Sequence, residues 1–305
     1  MATSYESAAM EYSDEPAVLI FADSMRAREA AEKAVRAAGG RVGATLPVSA
    51  ALDRLQNQVT VGAVVVELEE EAPGLDDFLS RLDQATRSGR HPTVVIVPRG
   101  LIDIAMARTG EGEVDLLAEP DEFQRAAAIG AAIARRPHRL GDVSSEGQNV
   151  RLQELSDEVA RIAKALASLA SDEGFRMPGL TPVNGEGASA AVDAGLVRTM
   201  IRARRLRDQF FPSTLFADPA WDMLLDLAAA RLEGRAVAVS SLCIAAAVPP
   251  TTALRWIKTL TDGKLFARVA DHSDGRRVFI ELTEQATAGM MAYFAAFQRM
   301  MALRN

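Results

Sequence analysis

Two runs in the front half of the chain, Val61–Leu68 (VGAVVVEL) and Pro92–Val97 (PTVVIV), are apolar almost throughout and too short to be helices. A strand that meets water on one face alternates apolar with polar residues, whereas a strand covered on both faces does not. These runs therefore belong to a parallel sheet buried on both sides. Ala17–Phe21 (AVLIF), Arg41–Leu46 and Val114–Leu117 read as further strands. Amphipathic segments separate them: Ser24–Ala38, Ser49–Val59, Leu75–Ser88, Leu101–Arg108 and Asp121–Arg136. Five strand–helix alternations predict a doubly wound α/β domain of flavodoxin-like order over residues 16–137, behind a polar tail at 1–15, with its site at the carboxyl ends of the strands.

A different pattern closes the chain. Val237–Ala247 (VAVSSLCIAAA) reads as a helix whose first turn Ser240 or Ser241 can cap, led in by a short strand at Ala236–Val239. Val248-Pro249-Pro250 stops it, because proline lacks a donor and excludes the α region from the residue before it. Pro250 suits a first helical position, so a second helix, Thr251–Thr261, follows at once with Leu254, Ile257 and Leu260 on one side and Gly263 placed to cap its end. Leu265–Val269, a polar turn Asp271–Arg277 and Val278–Leu282 then make a hairpin with two arginines at its tip. Helix, turn, helix and basic hairpin form a device for entering a major groove while a finger reaches phosphates or the minor groove.

As it stands, VSSLCIAAAVPPTTALRWIKTLTDGKLFARVADHSDGRRVFIELT resembles the winged helix of MarR-type bacterial regulators, and the wing D-x-S-D-G-R-R before a strand and Leu-Thr is its most specific part. The resemblance covers about the last third of the chain and implies an α+β DNA-binding domain over 196–305. Thr251, Thr252 and Arg255 are the candidates for the groove, with Arg255 best suited to a guanine. Lys258, Arg276 and Arg277 suit phosphates or the minor groove, and Ser240 and Ser241 the backbone; Pro250 and Ser273 complete the set. Leu196–Phe211 reads as a helix carrying Arg198, Arg202, Arg204, Arg205 and Arg207, which either line the backbone or form a solvated face. A helix at Ala220–Leu232, started by Asp218-Pro219, turns Trp221, Leu224, Leu225 and Leu227 inward. Trp256, between Arg255 and Lys258, is placed either to pack on the wing or to reach DNA.

The front domain resembles a response-regulator receiver, and its departures from that family fall at the chemical positions. The acidic pair after the first strand falls on Ala22 and Asp23, the phosphoaccepting aspartate on Glu67, the hydroxyl residue on Val97 or Pro98, and the lysine before a proline on Glu119, ahead of Pro120. Magnesium needs several oxygen ligands and a transferred phosphoryl group needs a cation, so a glutamate in place of the lysine defeats the chemistry. The expectation is a pseudo-receiver without phosphotransfer, its pocket marked by Asp23, Glu67 and Glu119. Two readings of those carboxylates stay open: Glu67 mimics a phosphorylated state, or all three are solvated rim groups.

Between the domains, 138–149 reads as a linker and 172–195, rich in Gly, Pro and Ser, as a flexible hinge. In 150–171, Leu152, Leu155, Val159, Ile162, Leu166 and Leu169 alternate at spacings of three and four, the seam of a parallel dimerising helix. The last helix, Glu284–Leu303, carries an apolar stripe that includes Phe294 and Phe297, and the MarR resemblance assigns it to a dimer face.

Charge divides along the chain. Of a net −7, the part from Gly195 onward holds 15 Lys and Arg against 10 Asp and Glu, leaving 19 against 31 in front. That split suits a basic reading head joined to an acidic partner domain, and only the former is expected to touch DNA. The single cysteine, Cys243, excludes a disulfide framework, and His91, His138 and His272 lack companions at ligand spacing, so neither metal nor cofactor is expected. Without a membrane-length apolar run or a signal core, the expectation is a cytoplasmic protein. No catalytic set stands out, which leaves two candidates: a homodimeric regulator binding double-stranded DNA, and an adaptor that holds a protein partner through its N-terminal domain and coiled coil and uses the winged helix only to dimerise.

Overall fold

The computed structural model describes residues 17–51, 61–109, 114–135, 192–271 and 273–302. The tail, the linker, the seam Leu152–Leu169, most of the expected helix at 49–59 and most of the hinge at 172–195 lie outside them.

The front domain runs β1 (Ala17–Ala22), α1 (Met25–Ala37), β2 (Arg41–Leu46), β3 (Ala63–Glu67), α2 (Leu75–Arg87), β4 (Thr93–Val97), α3 (Ile102–Arg108), β5 (Val114–Ala118) and α4 (Glu122–Ala134). Its five strands are all parallel in the order β2-β1-β3-β4-β5, the doubly wound order expected. The near-continuous apolar runs are explained by covering on both faces. Val18, Ile20, Val65, Val94 and Ile96 pack under α1 and α4, with Ala31, Val35 and Ile129 against them. On the opposite face Phe21 meets Phe78 of α2 edge to face at 5.6 Å. Each large side chain fully buried in this way contributes roughly 1.5–3 kcal/mol. Gly40 permits the close approach of α4, since a Cβ there would lie 2.7 Å from Ile133 Cδ1.

Caps follow the sequence chemistry. Ser24 accepts the Ala27 N–H at 3.0 Å. Asp121 and Gln124 form a reciprocal capping box at the start of α4.

The C-terminal segment runs α5 (Ala194–Leu206), α6 (Pro219–Leu232), β6 (Val237–Ala238), α7 (Val239–Ala245), α8 (Pro250–Asp262), β7 (Phe266–Ala270), β8 (Val278–Leu282) and α9 (Glu284–Ala302). The three strands form an antiparallel sheet, β6-β8-β7. Asp218 caps α6 and Pro219 opens it as expected. Inward positions of α6 include Met223, Leu225 and Leu227, while Trp221 and Leu224 are half-buried.

Several local expectations need correction. Neither Ser240 nor Ser241 caps α7, whose N-cap is Ala238 without a side-chain bond, because the strand ends two residues in and the helix starts at Val239. Gly263 is the C-cap of α8 as expected, but at φ −73° it is not left-handed. The turn falls one position later, on Lys264 at φ 60°. Lys264 N–H bonds to Thr261 O and Leu265 N–H to Leu260 O, a Schellman closure with lysine where glycine is usual. The predicted helix at 196–211 begins earlier, at Ala194, and breaks after Leu206 into a 3-10 turn at Arg207–Gln209.

Candidate nucleic-acid interface

Helix α8 owes its place to the apolar row Ala253, Leu254, Ile257 and Leu260, all buried. That row turns Thr252, Arg255 and Lys258 outward, with Arg255 and Lys258 both exposed. Lys258 lies 3.4 Å from Asp262, one turn on. The hairpin β7–β8 carries Ser273 and Arg277 exposed at its tip, and Asp271 accepts both the N–H and the O–H of Ser273 to shape the turn. Ser241 is exposed, whereas Pro250 is buried at the start of α8. Trp256 is 37% exposed rather than enclosed.

The remaining three candidates are already engaged by the front domain. With only 4% of its surface exposed, Thr251 is buried against β5, the edge strand of the parallel sheet. Its hydroxyl donates to Ala118 O at 2.7 Å and accepts the Ala118 N–H at 3.1 Å. Those bonds satisfy the last edge groups of the sheet with a side chain instead of another strand. Ser240 gives its N–H and its O–H to the two oxygens of Asp103, at 2.9 and 2.5 Å. Arg276 pairs with Glu71 and, at 2.9 Å, with Asp76. Asp76 also takes Arg108 Nε at 2.8 Å. Burial pushes the Asp76 carboxyl up, but the hydrogen bonds from Arg108 and Arg276 outweigh it and hold the group below its ordinary value. Asp103, Glu71 and Asp76 were missed in the sequence, since nothing local marks them as partners of residues in the far half of the chain.

Contact between the two parts is incomplete. A cleft of about 650 Å³ opens beside it, walled by Leu116, Phe123 and Ala127 on one side and Leu254, Arg255 and Lys258 on the other. Phe123 stands 81% exposed there.

At the carboxyl ends of the strands, the reading of all three carboxylates as solvated rim groups needs correction for Glu67. Glu67 is no solvated rim group: it is 5% exposed and pairs with Arg125 of α4 at 2.9 Å. Burial pushes its carboxyl up to about 7 despite the arginine. Asp23 accepts the N–H groups of Glu69 and Glu70 at 2.7 and 2.9 Å, tying the β3 loop to the β1 loop. Glu119 lies at φ 48° and takes Arg99 Nε at 2.8 Å. Arg125 and Arg99 therefore supply the positive charge at this rim, from positions outside the motif. No group of three or more His, Cys, Asp or Glu placed to hold a metal occurs among the described residues.

The arginines of α5 meet neither expectation. Arg198 pairs with Asp226 and Glu233, at 2.7 and 2.9 Å. Arg204 and Arg205 converge on Asp222, which is buried within α6, and Arg205 also reaches Ala245 O at the end of α7. Arg207 lies 4.8 Å over the ring of Phe216. These side chains brace the helices against one another, and of the five only Arg202 is exposed. On α9, Phe294 is buried within the chain, so it belongs to the core rather than to an outward face. Phe297 is half-buried and stacks with Tyr293, which meets Trp221 at 4.9 Å. Burial pushes the Cys243 thiol up to about 12, which leaves it an inert side chain. No helix among the described residues is long and apolar enough to cross a membrane.

No protein-family model matches the chain, and neither does any curated protein. Solved structures do. A response regulator receiver protein from Sinorhizobium medicae is 18% identical, covering 41% of this chain and 98% of its own, with a TM-score of 0.33. MepR of S. aureus bound to DNA is 19% identical over 36% of this chain and 86% of its own, TM-score 0.26. PcaV of Streptomyces coelicolor, a transcriptional regulator, is 20% identical over 38% and 84%, TM-score 0.22.

Proposed function

We propose that this chain is a transcription regulator that binds duplex DNA through a C-terminal winged helix, with a receiver-like front domain that carries out no phosphotransfer. The observation behind this reading is the placement of α8 on a small antiparallel sheet, with Arg255 and Lys258 exposed on the helix and Ser273 and Arg277 exposed at the hairpin tip. A helix with exposed basic residues and a basic finger are the parts that major-groove reading and phosphate contact use. Arg255 is the residue suited to a guanine and Arg277 to a phosphate. Dimerisation through 150–171, helped by the exposed part of α9, is part of the same proposal: two copies would read two half-sites.

The test is fluorescence anisotropy of the full chain with labelled duplexes at a series of salt concentrations. Arg277→Ala is expected to weaken binding to every sequence and to flatten the log–log salt slope by about 0.9, because one phosphate fewer is neutralised. Arg255→Ala should cost roughly 1–3 kcal/mol and relax preference at one base pair. Failure to bind any duplex at low ionic strength overturns the reading.

An adaptor is the second reading, and the engagement of Thr251, Ser240 and Arg276 within the chain favours it. It predicts no duplex binding under any salt condition.

A further inference from the structure

We infer that the front domain holds the winged helix off DNA by taking the place of the nucleic acid at three of its contact points. The inference rests on the DNA-binding reading above and concerns how that site is regulated. Each contact pairs a group suited to DNA with the chemistry DNA would offer. Asp103 presents two anionic oxygens to the N–H and O–H of Ser240, as a phosphate does to a helix start and its serine. Glu71 and Asp76 take the guanidinium of Arg276, the wing residue suited to a phosphate. Thr251 faces a carbonyl acceptor and an N–H donor on Ala118, the pair of groups a base edge displays in the major groove. All three contacts lie on residues reading toward one groove and its flanking backbone, and Thr251 at 4% exposure is out of reach of any duplex. The two occupants are mutually exclusive.

The clasp is built to open. Beside the packing of α8 on β5 and of α7 on α3, the closed form is tied by these polar contacts and leaves a cleft of about 650 Å³ open; contacts of this mixed kind between domains separate more readily than a large apolar interface. DNA then binds with its intrinsic affinity multiplied by the open fraction.

The experiment uses the full chain and random-sequence duplexes at low ionic strength. In one variant, Glu71→Gln, Asp76→Asn and Asp103→Asn remove the surrogate phosphates. A control with the same change of charge carries Glu29→Gln, Glu70→Gln and Asp77→Asn, at exposed positions of the same domain. Thermal unfolding first confirms that both are folded. The clasp variant is expected to bind about tenfold more tightly than the unaltered chain, corresponding to an open fraction of about a tenth. The control should gain much less. Without DNA, amide exchange over 114–118 and 250–262 should quicken in the clasp variant alone.

Equal gains in the two variants would mean general charge repulsion and overturn the inference. So would unchanged affinity together with unchanged exchange, while leaving the DNA-binding reading intact. If no form of the chain binds duplex, that reading falls first and the inference with it, whatever the exchange shows.

Discussion

Replacing Glu67 by glutamine tests the central feature of the degenerate pocket. The carboxyl titrates at about 7 in the folded chain, against an ordinary value of 4.5, because burial disfavours its charge more than Arg125 favours it. Between those values the unfolded chain has lost this proton and the folded chain keeps it, so stability falls as pH rises and levels off above 7. The separation of the two values, at about 1.4 kcal/mol for each tenfold change in proton concentration, amounts to about 3 kcal/mol. For a folded unit of this size that is roughly 6–12 °C in unfolding temperature. Glu67→Gln removes the titration while leaving an oxygen for Arg125 to donate to. Scanning calorimetry from pH 4.5 to 8.5 should show the unaltered chain losing ground to the variant as pH rises, by about that amount, with the change centred between the two values. Other carboxylates titrate equally in both proteins and drop out of the difference. A difference that stays constant with pH would show that Glu67 is not held as a desolvated group, and the account of the pocket would fail.

Incubation with acetyl phosphate and magnesium should add no mass, since Glu67 is already occupied by Arg125 and Glu119 stands where a lysine is needed; a stoichiometric gain would restore phosphotransfer. Lys264→Gly should stabilise the chain by roughly 1 kcal/mol, because φ 60° is costly for a side chain and free for glycine. A fall in unfolding temperature would show that the lysine side chain contributes more than its backbone strain costs.

What could be read in the sequence was whatever repeats locally. Apolar runs such as VGAVVVEL mark strands covered on both faces, and the strand–helix alternation around them gave the doubly wound order. Val248-Pro249-Pro250 marked the break between α7 and α8, but α7 ends at Ala245, short of the Ala247 expected, and Ala247 itself turns left-handed at φ 51°. Individual helix ends were less legible: Gly263 and Lys264 compete for one left-handed position, and the helix ran a residue farther than glycine alone would suggest. Glu67 was legible as a departure from the receiver pattern, but its environment was not. Arg125 sits 58 positions on, and only the packing of α4 over β3 brings the two together. Contacts between the halves, Ser240 with Asp103 above all, have no local signature. Opposite net charge in the two halves was the one visible hint that each would find the other.

That charge difference also assigns separate roles to the contacts at the clasp. Solvent-facing ion pairs such as Arg276 with Glu71 contribute little and are screened by salt. They draw acidic and basic surfaces together without fixing where they meet, and a phosphate backbone competes for the same arginine on similar terms. Thr251 differs, because its two bonds to Ala118 are buried and neutral. Their net worth is about 1 kcal/mol apiece, largely independent of salt, and breaking them without replacement leaves a strand-edge N–H and C=O without their protein partner. Register is therefore set by one threonine and one backbone position, while the balance between closed and open is set by carboxylates that DNA can replace in kind. Raising the salt concentration weakens both the clasp and its competitor, so ionic strength alone is a poor switch; neutralising specific carboxylates shifts the balance in one direction only.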